Sequence, residues 1–528
     1  MPTWIYEPML LIPLRDDFAL LSHAYIITGL IIIFLCSRYL STSTLNRAPL
    51  FPVHGYKSIF EPTWLLRARF IFGSKEIIRS GYEIFKEKPF IVRRNDVDIT
   101  VLPIKYLEEV RFAPASQLSL KEAQVRNMAP QWTDLSFVLE SNLHVDALNK
   151  KLSPRLGSFL ANIRDELDYA WEQDIPQPDD WTVVDIQSIA QKLVARTWAR
   201  VFIGHPTCRN EEWLRISIDF SINTFLTAVV LRLFPPWMHR FIVYLLPSRY
   251  RMMQLISASK RIMSGLMAKH EYNKSMRTRG ENILEEETLL NWMLDNGTAE
   301  ETTIQKMGSL QCFLTLASIH TTSIYITNIL FDICAHPEWI PILREEIDNA
   351  YEDQEYSRSD FNMKEWLRRF EKLDSFQTES LRFNPPILLG PQRMVMKPYT
   401  LRDGTFLPVG CRVAFPGYHH TFDPATMPNP DEFDPMRSYR QRKISISEAK
   451  KHHSAQPSMS NLAFGYGSQS CPGRYLASAE AKMVVARLLH EFDIRLPPGK
   501  SRPKTWYADE NSFMDPWAKL SIRKRQST

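Results

Sequence analysis

Cys471 stands in the stretch "AFGYGSQSCPGRYLA" (463–477), between a glycine-containing turn and the predicted start of a helix. The glycines before it and the Pro-Gly pair after it hold the backbone in an open loop, so that backbone N–H groups can point at the sulfur. The positive N-terminal end of the following helix also favours a thiolate. Phe464 can shield the sulfur from water on one side. This loop therefore predicts a stabilised thiolate, and it constrains the fold more than any other stretch.

The remaining cysteines form no C-x-x-C pair and have no regular spacing, which argues against a zinc site and a disulfide framework; they are Cys36, Cys208, Cys312, Cys334 and Cys411. We interpret these five as small buried apolar residues. A single thiolate does not suit zinc, which takes four ligands. It suits the axial position of haem, where the porphyrin supplies four other ligands.

The cysteine stretch resembles the haem-binding signature of the cytochrome P-450 superfamily, F-x-x-G-x-[RH]-x-C-x-G. The matching residues are Phe464, Gly467, Cys471 and Gly473. The resemblance implies haem b (iron protoporphyrin IX) as cofactor, with Cys471 as the axial ligand of its iron. The family's Arg or His that pairs with a haem propionate is replaced here by Gln469. The amide N–H of Gln469 is expected to donate one hydrogen bond to that propionate.

Other motifs of the family follow in the expected order. "ESLR" supplies Glu379 and Arg382, which share one helix face at this spacing. "PNPDEFDPMR" resembles the family's P-x-x-F-x-P-x-R segment, and its Arg437 is expected to complete a structural Glu379–Arg382–Arg437 network. In "PQRMVM", Arg393 is expected to reach a haem propionate. Upstream, no Trp or Arg stands where many members bind propionates, and which residue near His144 contacts haem stays open.

"LTLASIHTTSIYI" (314–326) resembles the family's long central helix, which crosses the haem with [AG]-G-x-[DE]-T-[TS]. Ala317 and Thr321 match this pattern, whereas Ser318 replaces the glycine and His320 replaces the acid. In the family the acid and the alcohol relay protons to bound dioxygen. His320 has two readings: it relays protons to Thr321, since histidine titrates near neutral pH, or it packs against a neighbouring helix. The pattern is similar to fungal ent-kaurene oxidase-like and indole-diterpene-oxidising members.

The composition, with 44% hydrophobic and 23% charged residues, permits a large packed core. A formal net charge of only +5 does not suggest a nucleic-acid partner. Apolar residues recur at helical spacing in six segments: Leu152–Trp171, Val184–Val201, Glu212–Leu233, Met252–His270, Thr302–Ala335 and Trp339–Tyr351. Short strand-like pieces and a hairpin in "LRDGTFLPVG" accompany them. We predict a mainly α fold with small β-sheets, which is the cytochrome P-450 fold.

Residues Phe18–Cys36 contain no Asp, Glu, Lys or Arg. This length is near the ~20 residues that cross the hydrocarbon layer. The alternatives are a cleaved signal peptide and a buried core helix. Lys and Arg are in excess after the segment, which places the following chain in the cytosol. We predict a lumenal segment (1–17), a transmembrane anchor (18–36), a Pro/Gly-containing linker (37–55) and a catalytic domain (56–528) at the endoplasmic reticulum membrane.

The variable middle of the chain is expected to set the substrate. Ala228–Tyr250 is apolar and aromatic with three prolines. We interpret it as an interfacial lid that admits a lipid-soluble substrate, with ordinary core as the alternative. The basic stretch Arg437–Lys451 is expected to dock an acidic NADPH-cytochrome P-450 reductase, with a solvated loop as the alternative.

These observations predict a membrane-anchored cytochrome P-450 monooxygenase with Thr321 and His320 as catalytic residues. The resemblance implies that it oxidises a terpenoid or meroterpenoid intermediate of fungal secondary metabolism, with dioxygen and electrons from NADPH. One alternative is a haem-thiolate isomerase that rearranges a peroxide without a reductase. The other alternative is a haem-binding protein without catalysis.

Deleting residues 1–36 tests the predicted anchor. The truncated protein should shift from the membrane pellet to the soluble fraction, because the apolar span is lost. Part of it should stay bound through Ala228–Tyr250. Fractionation of cells that express both forms measures the shift. A full-length chain that is soluble, or glycosylated and secreted, would contradict the anchor.

Overall fold

The structure is a computed structural model that describes residues 49–352 and 361–526. Helices dominate it and the strands are short, which confirms the predicted mainly α fold with small β-sheets. The predicted lumenal segment (1–17), the predicted anchor (18–36) and the first part of the linker lie outside the described residues.

The longer helices form the body of the protein and the shorter ones connect them. In chain order they are α1 (Thr63–Ile84), α2 (Leu107–Val110), α3 (Leu120–Arg126), α4 (Ser136–Glu140), α5 (Leu143–Asp146), α6 (Leu156–Asp174), α7 (Ile186–Ile203), α8 (Glu211–Arg232), α9 (Pro236–Ile242), α10 (Pro247–Thr278), α11 (Leu289–Asn296), α12 (Ile304–Ala335), α13 (Ile340–Glu352), α14 (Met363–Arg368), α15 (Glu371–Phe383), α16 (Gly417–Thr421), α17 (Arg437–Arg442), α18 (Ile446–Ala449) and α19 (Arg474–Glu491).

The strands are β1 (Phe90–Arg93), β2 (Asp98–Val101), β3 (Leu118–Ser119), β4 (Thr182–Val184), β5 (Gln392–Val395), β6 (Tyr399–Thr400), β7 (Phe406–Leu407), β8 (Arg412–Ala414), β9 (Phe492–Arg495), β10 (Trp506–Ala508), β11 (Asn511–Phe513) and β12 (Leu520–Lys524). The largest sheet has the order β1-β2-β8-β5-β3. Its β2–β8 pair is parallel and its other pairs are antiparallel. β6 and β7 form the predicted hairpin.

Helix α12 is the centre of the helical body, where it packs against α7, α8, α10, α15 and α19. The side chain of Thr303 caps its first turn by accepting a hydrogen bond from the Lys306 N–H. Pro337 follows shortly after its end and cannot continue a helix. Most side chains of α12 are buried. Its all-round apolar sequence is therefore that of a core helix.

The apolar periodicity located most of the long helices within about four residues of their bounds. Helix α10 (Pro247–Thr278) is longer than the predicted Met252–His270, by five residues at its start and eight at its end. The sequence predicts a helix from Leu152, whereas α6 begins at Leu156. Residues Ala147–Leu152 form a π-helical stretch, and a turn follows before α6. Pro154 lies in that turn, and its missing N–H interrupts the helical hydrogen bonds.

Two helices in the described part of the chain, α8 and α12, are long and apolar enough to cross a membrane by length and composition alone. In α12, 67% of the most apolar window is buried inside the protein, and in α8 the share is 50%. Helix α12 is explained by its place in the core. The predicted anchor is untested by these two helices.

Candidate active site

The loop before Cys471 turns through backbone conformations that favour glycine. Gly465 has φ +81° and Gly467 has φ +74°. A Cβ atom on Gly467 would lie 2.1 Å from the carbonyl oxygen of Arg111. The Cys471 N–H donates to the Phe464 carbonyl at 2.8 Å and closes the loop. These contacts explain why the signature has glycine at position 467.

The sulfur of Cys471 lies where two opposing effects meet. Burial is the larger effect and raises the pKa of the thiol above its usual value, although hydrogen bonds from the Gly473 and Arg474 backbone N–H groups and the positive charge of Arg474 act to lower it. The expected backbone donors therefore point at the sulfur. In the described residues no group of three or more His, Cys, Asp or Glu side chains could hold a metal ion. The site thus offers a single cysteine sulfur as a ligand, as haem requires.

Helix α12 presents an open face beside this loop. Ala317 and Thr321 are exposed although they lie in the middle of the core helix, and Ser318 and Thr322 beside them are buried. One turn further on, Tyr325 meets Phe464 of the cysteine loop edge to face, at 6.2 Å between ring centroids. An open face on a core helix next to a lone thiolate fits a bound planar cofactor.

Arg393 is a buried cation on β5 next to the cysteine loop. Its guanidinium donates to the carbonyl oxygens of Gln392, at 2.7 Å, and Tyr466, at 3.3 Å, and its Nε has no partner. Burial lowers the pKa of Arg393 to about 10. A buried guanidinium with a spare donor fits an anionic oxygen such as a propionate.

The side-chain amide of Gln469 forms hydrogen bonds with the protein backbone. Its amide N–H groups donate to the carbonyls of Leu118, at 2.8 Å, and Ala113, at 3.2 Å. Its Oε1 accepts from the Leu120 N–H at 2.8 Å. Both amide protons are engaged in these contacts, which argues against the expected propionate contact, and that contact stays a prediction. Gln469 instead ties the cysteine loop to the segment around β3.

His320 is satisfied by two neighbouring helices. Its Nε2 lies 3.1 Å from the Ile218 carbonyl on α8, which assigns the proton to Nε2. Its Nδ1 can then accept from the Gln191 amide on α7 at 3.4 Å. Burial lowers the pKa of His320 and favours the neutral ring. These contacts favour the packing alternative over the proton relay.

Thr321 lies on a different side of α12 from His320, because consecutive residues are about 100° apart on a helix. Its hydroxyl donates to the Ala317 carbonyl at 2.9 Å, within its own helix, and the residue is exposed. The structure therefore does not bring the two predicted catalytic side chains into contact. Of these two side chains, only that of Thr321 is on the open face of α12.

The structure brings Glu379, Arg382 and Arg437 together. Arg382 donates to both carboxylate oxygens of Glu379, at 2.7 and 3.0 Å, and Arg437 Nε lies 3.7 Å from the same carboxylate. Arg382 also donates to the Pro430 carbonyl at 2.7 Å, and Arg437 to the Pro428 carbonyl at 2.7 Å. The three side chains thus fasten the segment that leads to the cysteine loop onto helix α15.

The residues near the missing Trp and Arg motif have different surroundings. His144 is buried against Phe313 of α12, edge to face at 5.4 Å between ring centroids, and burial lowers its pKa to about 4. Asn149 and Lys150 are exposed. Tyr325 lies in the quoted stretch 314–326 but outside the family's pattern there, so the sequence did not predict its contact with the cysteine loop.

The basic stretch Arg437–Lys451 is less available than its sequence indicates. Arg442 is buried and donates to Asp374 at 3.1 Å. Lys443 pairs with Glu371 at 2.6 Å, and Lys451 pairs with Glu448 at 2.8 Å. Much of its positive charge is therefore neutralised locally. Lys450 is exposed.

Replacing Gln469 by Leu tests its structural use. The change leaves the Leu120 N–H and the Leu118 and Ala113 carbonyls without their side-chain partner, which should lower the free energy of unfolding by about 1–3 kcal/mol. Gln124, which is exposed on α3, gives a control: Gln124→Leu should change it by less than about 0.5 kcal/mol. Denaturant unfolding measures both. Unchanged stability with loss of haem would restore the propionate role.

A family model described as cytochrome P-450 matches residues 105–516. The chain is 40% identical to "Cytochrome P-450 monooxygenase ATR4" of Stachybotrys chlorohalonatus over 474 residues, 89% of this chain and 90% of that protein. It is 36% identical to "Cytochrome P-450 monooxygenase sdnB" of Sordaria araneosa over 504 residues, 94% and 92% of the two chains. It is 37% identical to "Ent-kaurene oxidase" of Fusarium fujikuroi over 497 residues, 93% and 91% of the two chains.

Proposed function

Because the chain belongs to the cytochrome P-450 family of haem-thiolate monooxygenases, we propose that it oxidises a hydrophobic terpenoid or meroterpenoid at the endoplasmic reticulum membrane. In this proposal the cofactor is haem b, the oxidant is dioxygen, and electrons come from NADPH through a reductase. The similarity to an ent-kaurene oxidase supports the terpenoid class. The place in metabolism is a fungal secondary-metabolite pathway, since the similar monooxygenases come from fungi.

The single observation that carries the proposal is the lone sulfur of Cys471, with backbone N–H groups that favour its thiolate form, beside the open face of α12. Cys471 would ligate the haem iron, and Arg393 would hold a propionate through its spare Nε–H. Haem with a thiolate ligand supplies the activation of dioxygen for insertion of one oxygen atom into a C–H bond. Glu379, Arg382 and Arg437 keep the segment before the loop in place.

Thr321 is the residue of this chain proposed to manage protons at the open face. Its hydroxyl bonds only to carbonyls of its own helix, so it could turn to hold a water or to donate a hydrogen bond toward the open side. His320 is proposed to fix the distance between α12 and α8 through the Ile218 carbonyl. This assignment replaces the acid–alcohol pair of the family by a single alcohol.

The lid is proposed to contact the membrane interface. Within Ala228–Tyr250, one side of the chain is buried and the other exposes large apolar side chains, which are Trp237, Phe241, Tyr244, Leu245 and Tyr250. A second exposed apolar group lies near the start of the described chain and includes Ile59, Phe60 and Phe72. Exposed patches of this kind mark surfaces that bind membranes or proteins. A lipophilic substrate would arrive from this side.

The two apolar surfaces are connected through the β10–β11 turn. Asp509 donates its N–H to the Ile71 carbonyl on α1 at 2.8 Å. Its carboxylate lies 3.8 Å from Arg232 at the end of α8, within the lid segment. These contacts bring α1 and the lid to one side of the molecule, which supports a single membrane-facing surface.

Oxygen labelling tests the proposed reaction. Metabolite profiling of a deletion strain identifies the accumulating substrate. Membranes that contain the protein and a cytochrome P-450 reductase are then given that substrate, NADPH and 18O2. The proposal expects one labelled oxygen atom per oxidation and no product without NADPH. Unlabelled product formed without NADPH would establish the isomerase instead, and absence of turnover would leave a haem-binding protein.

Coupling of electron use to product tests the roles of Thr321 and His320. Thr321→Ala should raise the peroxide released per product several-fold, because ordered protonation is lost while the helix is kept. His320→Ala should keep the coupling within about twofold of wild type if the ring only packs. Product formed per NADPH consumed gives the measurement.

Thr327→Ala provides the matched control, since the Thr327 hydroxyl is buried on the same helix and bonds to the Ser323 carbonyl. It should leave coupling unchanged. If His320→Ala uncouples as strongly as Thr321→Ala, the packing assignment is wrong and the relay is restored.

A further inference from the structure

Glu480 is a fully buried carboxyl group on α19, the helix that begins directly after the cysteine loop. Its two oxygens accept hydrogen bonds from the Thr197 hydroxyl and, at 2.7 Å, from the Trp198 indole N–H. Both donors lie on α7. Burial raises the pKa of Glu480 to about 8, and these two hydrogen bonds oppose it. The group is costly to bury, so its retention calls for a reason.

Trp198 connects this carboxyl group to the cysteine loop. The indole is 4% exposed, so its position is fixed by packing on all sides. Its Cη2 atom would lie 3.4 Å from a Cβ atom placed on Gly473. Gly473 is also one of the two residues whose backbone N–H groups act to lower the pKa of Cys471. The indole therefore bonds to Glu480 at one edge and lies beside Gly473 at the other, where it fills the space that a side chain at 473 would enter.

We infer that Trp198 and Glu480 are positioning residues for the thiolate: the carboxyl group fixes the indole, and the indole holds the Gly473 N–H on the sulfur of Cys471. The inference rests on the proposed haem-thiolate ligation. A hydrogen bond to a ligating sulfur tunes the metal and keeps the ligand in place. We call the hydrogen-bonded pair of Trp198 and Glu480 the clamp. Without the clamp, the cysteine loop would become more mobile and the Gly473 N–H would move away from the sulfur. The thiolate would then dissociate more easily from the iron.

Two variants break the hydrogen bond between Trp198 and Glu480, one by changing the donor and the other by changing the acceptor. Trp198→Phe keeps an aromatic ring but deletes the indole N–H and leaves one oxygen of Glu480 without its donor. Glu480→Leu keeps the size of the side chain but deletes both acceptors. The readout is the reduced carbon monoxide complex, whose red-shifted Soret band requires the thiolate. Its rate of conversion to the unshifted form on mild warming should rise about tenfold in each variant, as expected for one buried polar group left unpaired.

The chain offers a matched control on the same helix. Trp171 of α6 donates its indole N–H to Glu491 of α19 at 2.6 Å. This pair resembles the clamp in chemistry but lies at the opposite end of α19 from Cys471. Trp171→Phe should change the conversion rate by less than about twofold. Glu480→Gln, which keeps one acceptor oxygen, should fall between wild type and Glu480→Leu.

The outcomes separate the clamp from general destabilisation and from the proposed ligation. If Trp171→Phe accelerates the conversion as much as Trp198→Phe, the clamp acts only through overall stability and the inference is overturned. The inference is also overturned if the wild type shows the red-shifted band and Trp198→Phe converts to the unshifted form at the wild-type rate. A wild type without the red-shifted band would instead overturn the ligation itself. Should Glu480→Leu not fold, Trp198→Phe decides alone.

Discussion

The site depends on one electrostatic balance, that of a cysteine sulfur which must become an anion in a largely buried loop. Burial raises the pKa of Cys471, and the backbone N–H groups of Gly473 and Arg474 with the Arg474 charge act against this. Such donors work only if the loop keeps its shape. The surrounding contacts can be understood as supports for it: Gln469 ties it to the β3 region, Phe464 packs on Tyr325, and the Glu379 network fixes the preceding segment.

Two faces of the central helix α12 differ in their surroundings. Thr321 lies on the open face and His320 on the packed face, and we therefore propose that the position of the family's acid serves packing in this chain. Because α12 is buried along most of its length, a polar side chain on its packed face must find a partner. The Ile218 carbonyl and the Gln191 amide provide it.

Much of this was predictable because local patterns determine it. Helical periodicity located α12, and the glycines around Cys471 reflect backbone angles that any side chain would strain. What the sequence could not supply are contacts between distant segments. Gln469 meets the backbone of Leu118 and Ala113, and Lys443 meets Glu371. Such pairings depend on how the helices and the sheet pack, which a single sequence does not encode in any local pattern.

The most direct test of the account is the reduced carbon monoxide spectrum of Cys471→Ala. The account predicts that the red-shifted Soret band disappears, because no other described cysteine lies beside the open face of α12. Cys411→Ala, at the partly buried cysteine that hydrogen-bonds to Thr100, should keep the band. A Cys471→Ala protein that retains the red-shifted band would contradict the thiolate ligation on which the proposed function rests.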